Sequence, residues 1–239
     1  MRLALAALAA LALAGCETTA EESARLERAA KHSQHVTEAR EPLRALVGAP
    51  ASSRLKLQGT ALAHTAEGTA AVVTVRNITG STLHEVPILI EVKDSGGAPL
   101  YTNNQPGISS TLTSIPSLPA GGTVDWVDDQ IQAAGTPATV SAKLGEGHEG
   151  APSPPLHVDA HLSEQNANGA TVEGTVSNPA ATPAEEVVVY AVARRGRHIT
   201  SAGRAVLSEV PAKGSSHIQL FLIGDPSGAS LQLSATPVS

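Results

Sequence analysis

The sharpest chemical pattern in the 239 residues is His157-Val158-Asp159-Ala160-His161. Side chains alternate between the two faces of a strand, so His157, Asp159 and His161 share one face while Val158, Ala160 and Leu162 share the other. Two neutral imidazoles and a carboxylate are the ligand types of an open metal site, with water as the fourth ligand. The same alternation is what any strand with one wet face shows, and the sequence assigns no further ligand. A second concentration is YTNNQPGISSTLTSIPSLPAGGTVDWVDDQ, residues 101–130. Here Asn103, Asn104 and Gln105 precede a Pro-Gly turn, and Trp126 is followed by Asp128, Asp129 and Gln130. Carboxamides and carboxylates around one tryptophan can hydrogen-bond and stack a sugar or a peptide, which makes this segment the candidate recognition surface. Against that, Val124 and Trp126 share a strand face, the pattern of a core tryptophan, and Asn103 and Asn104 can simply shape a loop. Asp125, Asp128 and Asp129 lack the spacing of a twelve-residue calcium loop.

No Gly-x-Ser-x-Gly elbow, His-Glu-x-x-His helix or Gly-rich phosphate loop followed by Lys occurs, so the expectation is a non-catalytic protein with no cofactor. The single cysteine, Cys16, carries the clearest placement signal. Arg2 supplies a positive start, residues 3–14 are apolar, and small residues crowd the boundary, as in an export signal. The run falls short of the roughly twenty residues needed to cross a bilayer. Leu13-Ala14-Gly15-Cys16 resembles the lipobox of bacterial lipoproteins, which implies cleavage after residue 15 and lipidation (diacylglyceryl, then palmitate) of Cys16. Two or more acyl chains hold a protein stably at a membrane. The resemblance implies an extracytoplasmic location, anchored to the cell membrane or outer membrane; Glu17, not aspartate, follows the cysteine and favours the outer one where two exist.

These residues must be positioned by the remaining chain. With Cys16 lipidated no thiol is left for a disulfide or a cysteine-ligated metal. Two domains of about ninety residues can each bury a core unaided. The cores are aliphatic, because Trp126, Phe221, Tyr101 and Tyr190 are the only aromatic residues. A formal net charge of −6, with no dense basic stripe, argues against nucleic acid as a partner.

Residues 16–53 read as a tether. Glu21 and Arg25, then Glu27 and Lys31, are spaced as helical ion pairs, His32 and His35 sit i to i+3 as solvated positions, and 48–53 (GAPASS) is linker. From Leu55 the apolar period becomes two. Segments 55–64, 69–78, 86–94 and 123–131, then 156–164, 170–178, 186–194, 203–210, 215–224 and 229–237, are short strands between Gly, Pro, Asn and Ser clusters. Residues 146–155 read as a Gly/Pro linker. The expected fold is all-β: a signal peptide (1–15), the tether, and two tandem antiparallel β-sandwiches at 54–145 and 156–239.

The halves align with each other. VTVRNITGSTLHEVPILIEV, residues 73–92, matches GTVSNPAATPAEEVVVYAVA, residues 174–193, placing Asn77 opposite Asn178 and Glu85 opposite Glu186. LPAGGTVDWV matches VPAKGSSHIQ further on, and matches at this spacing indicate duplication. Both asparagines sit where a strand gives way to a turn, and structural punctuation accounts for them. A strand ending in Val-x-Asn, a Gly/Ser/Thr turn, a Val-rich strand and then Asp94-Ser95-Gly96-Gly97 resembles the FxLYD-type immunoglobulin-like domain of bacterial envelope proteins. The naming motif reads Ile90-Glu91-Val92-Lys93-Asp94 in the first copy and Tyr190-Ala191-Val192-Ala193-Arg194 in the second, each keeping part of it. The resemblance implies non-catalytic envelope modules. The expected function is therefore binding of an envelope protein or glycan by a lipid-anchored pair of sandwiches. The alternatives are a structural spacer and a metal-dependent enzyme using His157, Asp159 and His161.

Overall fold

The computed structural model describes residues 43–166 and 169–238. The signal peptide, Cys16, the tether helix with its ion pairs, and His32 and His35 lie outside the described residues. Residues 43–48 are helical, and Leu43 and Leu46 are buried.

The first half contains β1 (Leu55–Thr65), β2 (Gly68–Asn77), β3 (Thr82–Lys93), β4 (Pro99–Thr102), β5 (Ser114–Leu118), β6 (Thr123–Asp128), β7 (Thr139–Leu144) and β8 (His148–Gly150). The second contains β9 (His157–Asn166), β10 (Gly169–Ser177), β11 (Ala184–Arg195), β12 (His198–Val210), β13 (Ser215–Gly224) and β14 (Ser230–Pro237). The protein is all-β, and every pairing is antiparallel. In the first half β1-β2-β6 form one sheet, and β3 is the axis of the other. Along one edge of β3 run β4 and then β5; along the other run β7 and then β8. In the second half β9-β10-β13 face β12-β11-β14. The layers join where Ser201 and Ala202 of β12 meet Gly224 and Ile223 of β13. Gly203 permits that approach, because a Cβ there would lie 2.0 Å from the carbonyl oxygen of Phe221.

Four strands escape the alternation pattern of the sequence: β4, β5, β7 and β8. They have three to six residues each and are rich in Ser, Thr, Gly and Pro, too short for a period of two to stand out. β8 falls inside the 146–155 segment read as linker, where it pairs Thr82–His84 of β3 through Gly150, Glu149 and His148.

Inward and outward residues of β11 are both buried. Val187, Val189, Ala191 and Ala193 pack within the second sandwich, against Val172, Ile218, Leu220 and Leu222. Val188, Tyr190 and Val192 point the other way and join the core of the first half, with Val72, Trp126 and Val127. β2 is likewise buried on both faces. The sandwiches therefore stack face to face through β1-β2-β6 and β12-β11-β14, and their described residues form one compact unit. A near-continuous apolar run is what a strand needs when both of its faces are covered.

The two halves place their turns on matching hydrogen bonds. The Asn77 amide donates to Ser81 and Leu118 carbonyls (2.8 and 3.1 Å) and its oxygen accepts from the Thr79 N–H at 2.9 Å. Asn178 donates to Thr182 and Val210 carbonyls (2.8 and 3.2 Å) and accepts from the Ala180 N–H at 2.9 Å. Glu85 and Glu186 share an unusual backbone, with φ of 47° and 45°.

Candidate functional site

Segment 101–130 divides into interior and surface. Where β12 runs unbroken beside β11, the corresponding edge of β3 is split into β4 and β5 by residues 103–113. Asn103 fills the gap. Its amide nitrogen donates to the carbonyls of Ile88 and Leu112, both at 2.8 Å, and its oxygen accepts from the Ile90 N–H at 2.9 Å. A side chain thus replaces the missing strand residue, satisfying β3 groups that burial would otherwise strand. Asn103, Trp126 and Asp128 have no exposed surface, so they cannot present themselves to a ligand from outside. Asn104 and Asp129 are half-buried, and Gln105 and Gln130 are exposed. The carboxamides and the tryptophan are not brought together as a stacking platform.

Instead the structure gathers charge at the seam. Asp128 accepts from the Tyr101 hydroxyl at 2.8 Å and from the Gln130 N–H at 3.0 Å, tying β6 to β4 across the first sandwich. Asp129 accepts from the backbone N–H of Arg204 on β12 at 2.8 Å. The Arg204 guanidinium donates to the Thr111 hydroxyl at 2.6 Å. Burial pushes the Asp128 carboxyl up from 3.8 to about 6, against the Gln130 and Tyr101 hydrogen bonds, with Asp129 raising it further and Arg204 lowering it. Burial also raises Asp129, opposed by Arg204. Tyr101 and Tyr190 are held protonated above the ordinary phenol range, chiefly by burial. This cluster joins two sandwiches and has no opening to solvent through Asp128.

The β9 residues lie where strand alternation places them. His157, Asp159 and His161 are exposed on one face, as alternation requires, but among the described residues no group of three or more His, Cys, Asp or Glu is placed to hold a metal ion.

A cleft of about 540 Å³ opens where the halves meet, walled by Pro152, Pro154, Pro183 and Pro237 and by His84, His148 and Glu185. The size suits a small ligand or a short stretch of chain. Nε2 of the buried His84 lies 2.8 Å from the Ala151 carbonyl, which pins the connecting segment. Its ring stacks on His148, centroids 5.8 Å apart, and Nδ1 of His148 lies 3.7 Å from Glu85. Glu185 is exposed, with no polar partner among the described residues. Flat proline faces beside imidazoles and a carboxylate can pack an apolar body and hydrogen-bond its polar end. The sequence scatters these residues from His84 to Pro237, and only the prolines of 146–155 and the pair of matching positions His84 and Glu185 hint at the cleft.

No family model matches the chain, and no curated protein matches it. Among solved structures, the crystal structure of red sea bream transglutaminase aligns at 14% identity and a TM-score of 0.27, covering 78% of this chain and 29% of that one. The chain thus spans less than a third of that protein's length.

Proposed function

We propose that the protein is a non-catalytic cell-envelope lipoprotein, anchored through lipidated Cys16, whose two FxLYD-type immunoglobulin-like sandwiches together form a binding body for an envelope protein or glycan. The observation that carries the binding role is the cleft of about 540 Å³ built from both halves. The anchor rests on the resemblance of residues 13–16 to a lipobox. Duplication of one module is supported by the paired hydrogen bonds of Asn77 and Asn178 and by the shared left-handed backbone at Glu85 and Glu186. A spacer is the weaker reading, since face-to-face stacking gains less length than an end-to-end array.

Two measurements test the two parts separately. Cys16→Ala is expected to move the protein from the membrane fraction to the soluble one, and continued tight retention overturns the anchor. A photo-crosslinking residue at Ser153 or Thr182, both in the cleft wall, is expected to capture one recurrent partner in the native envelope, while the same probe at Asp159 on β9 does not. Scattered products from all three positions favour the spacer.

A further inference from the structure

The β11–β12 hairpin ends in Arg194-Arg195-Gly196-Arg197-His198, the densest run of cationic side chains among the described residues of an acidic chain. Arg195 pairs with His198 across a two-residue turn, and Gly196 takes the φ of 64° that the first position requires. Two of the arginines are committed. Arg194 donates to Asp125 at 2.6 Å and to Gln232 at 2.9 Å, and Arg195 bonds the Ser227 carbonyl beside Asp225. Arg197 and His198 are exposed and have no polar partner among the described residues.

Below this tip lies a recess of about 300 Å³, at the lower end of small-ligand sites. One wall is Arg194, Arg197 and His198 from the second sandwich; the other is Gln58, Thr60 and Thr74 from the first. Its lining contains no carboxylate, with Asp125 behind it bonded to both Thr74 and Arg194, and β1 shifts register between Leu57 and Gly59, where Gly59 leaves open space. The lining offers guanidinium, imidazole and amide donors, while the Thr60 and Thr74 hydroxyls already donate to the Val140 carbonyl and to Asp125, and a guanidinium fork matches the geometry of an oxyanion.

We propose that this recess binds a phosphate-type oxyanion, with Arg197 as its principal partner, the Nη1 group of Arg194, which the bonds to Asp125 and Gln232 leave over, as a second, and the His198 ring beside them. The site exists only where the two sandwiches meet, and it is independent of the cleft and of the lipid anchor. Free phosphate, a phosphorylated glycan and an anionic lipid headgroup share the required chemistry.

The test is an amide NMR titration of the full-length chain with inorganic phosphate, then with glucose 1-phosphate. Saturable shifts confined to Gly59, Thr60 and Gly196–Ile199 are expected. Arg197→Ala with His198→Ala is expected to weaken binding at least about tenfold, Arg197→Lys less, and Lys213→Ala not at all. Cosedimentation with phosphatidylglycerol against phosphatidylcholine vesicles assigns the source: tighter glucose 1-phosphate binding indicates a glycan, vesicle binding lost in the Arg197 variant a headgroup, and neither the free ion. Absence of saturation, shifts elsewhere, or an unchanged affinity in the double variant overturns the proposal.

Discussion

Asp128 shows how one buried atom pair sets a solution property. Its carboxyl titrates near 6 in the folded chain and near 3.8 when unfolded, so the native state holds the proton more tightly. The stability this contributes is complete below about pH 4 and is lost as pH rises toward and through 6. Two pH units correspond to about 3 kcal/mol. Denaturant unfolding should therefore show lower stability at pH 7.5 than at pH 4.5, beyond what other groups cause, and Asp128→Asn should flatten that dependence. Asn103 is the opposite case, a neutral group whose three bonds complete β3. Asn103→Ala leaves an N–H and two carbonyls without their bonds, and a loss of about 3 kcal/mol is expected by chemical denaturation. Asn103→Asp should do no better, because a carboxylate cannot donate to the Ile88 and Leu112 carbonyls.

Within the strands, the matched pair Glu85 and Glu186 marks where each central strand departs from regular geometry. The ladder passes over Glu85 between His84 and Val86, and over Glu186 between Glu185 and Val187, without losing register. A left-handed backbone costs an L-residue roughly 1–2 kcal/mol, more when the side chain is β-branched. Glu186→Val is expected to lower the melting temperature by several degrees, while Glu186→Gly, freed of the Cβ, should stay near the parent. Equal losses in both variants would place the cost in the glutamate side chain instead. The run Val187 to Ala193 illustrates what was readable here. Its β-branched residues announced a strand, and its lack of polar alternation was the trace of a strand covered on both faces, although which surface covered the second face lies in another part of the chain.

At the scale of the molecule, the shared core makes one folding unit of two sandwiches. Thr74 and Arg194 both bond Asp125, so the seam carries an ion pair as well as Val72, Val127, Val188 and Tyr190. Asp125 and Arg194 are each less than a fifth exposed, and removing either leaves a poorly solvated charge. Asp125→Ala and Arg194→Ala are each expected to cost about 1–3 kcal/mol, with the double variant costing less than their sum. Calorimetry of the parent should give one cooperative transition; two separated transitions would mean that the sandwiches melt independently of their seam.

What the sequence determined by itself was local: strand periodicity, the asparagine-punctuated turns, the internal match between the halves and the alternating face of His157, Asp159 and His161. Each depends on residues within a few positions, or on comparing two such stretches. Tertiary structure alone decided that Asn103 and Asp128 are interior, that β4 and β5 are one interrupted strand edge, and that the proline cleft and the hairpin recess lie between the halves. Those outcomes depend on pairing and burial between residues tens to a hundred positions apart, and burial, more than residue type, determined which polar side chains can meet a ligand.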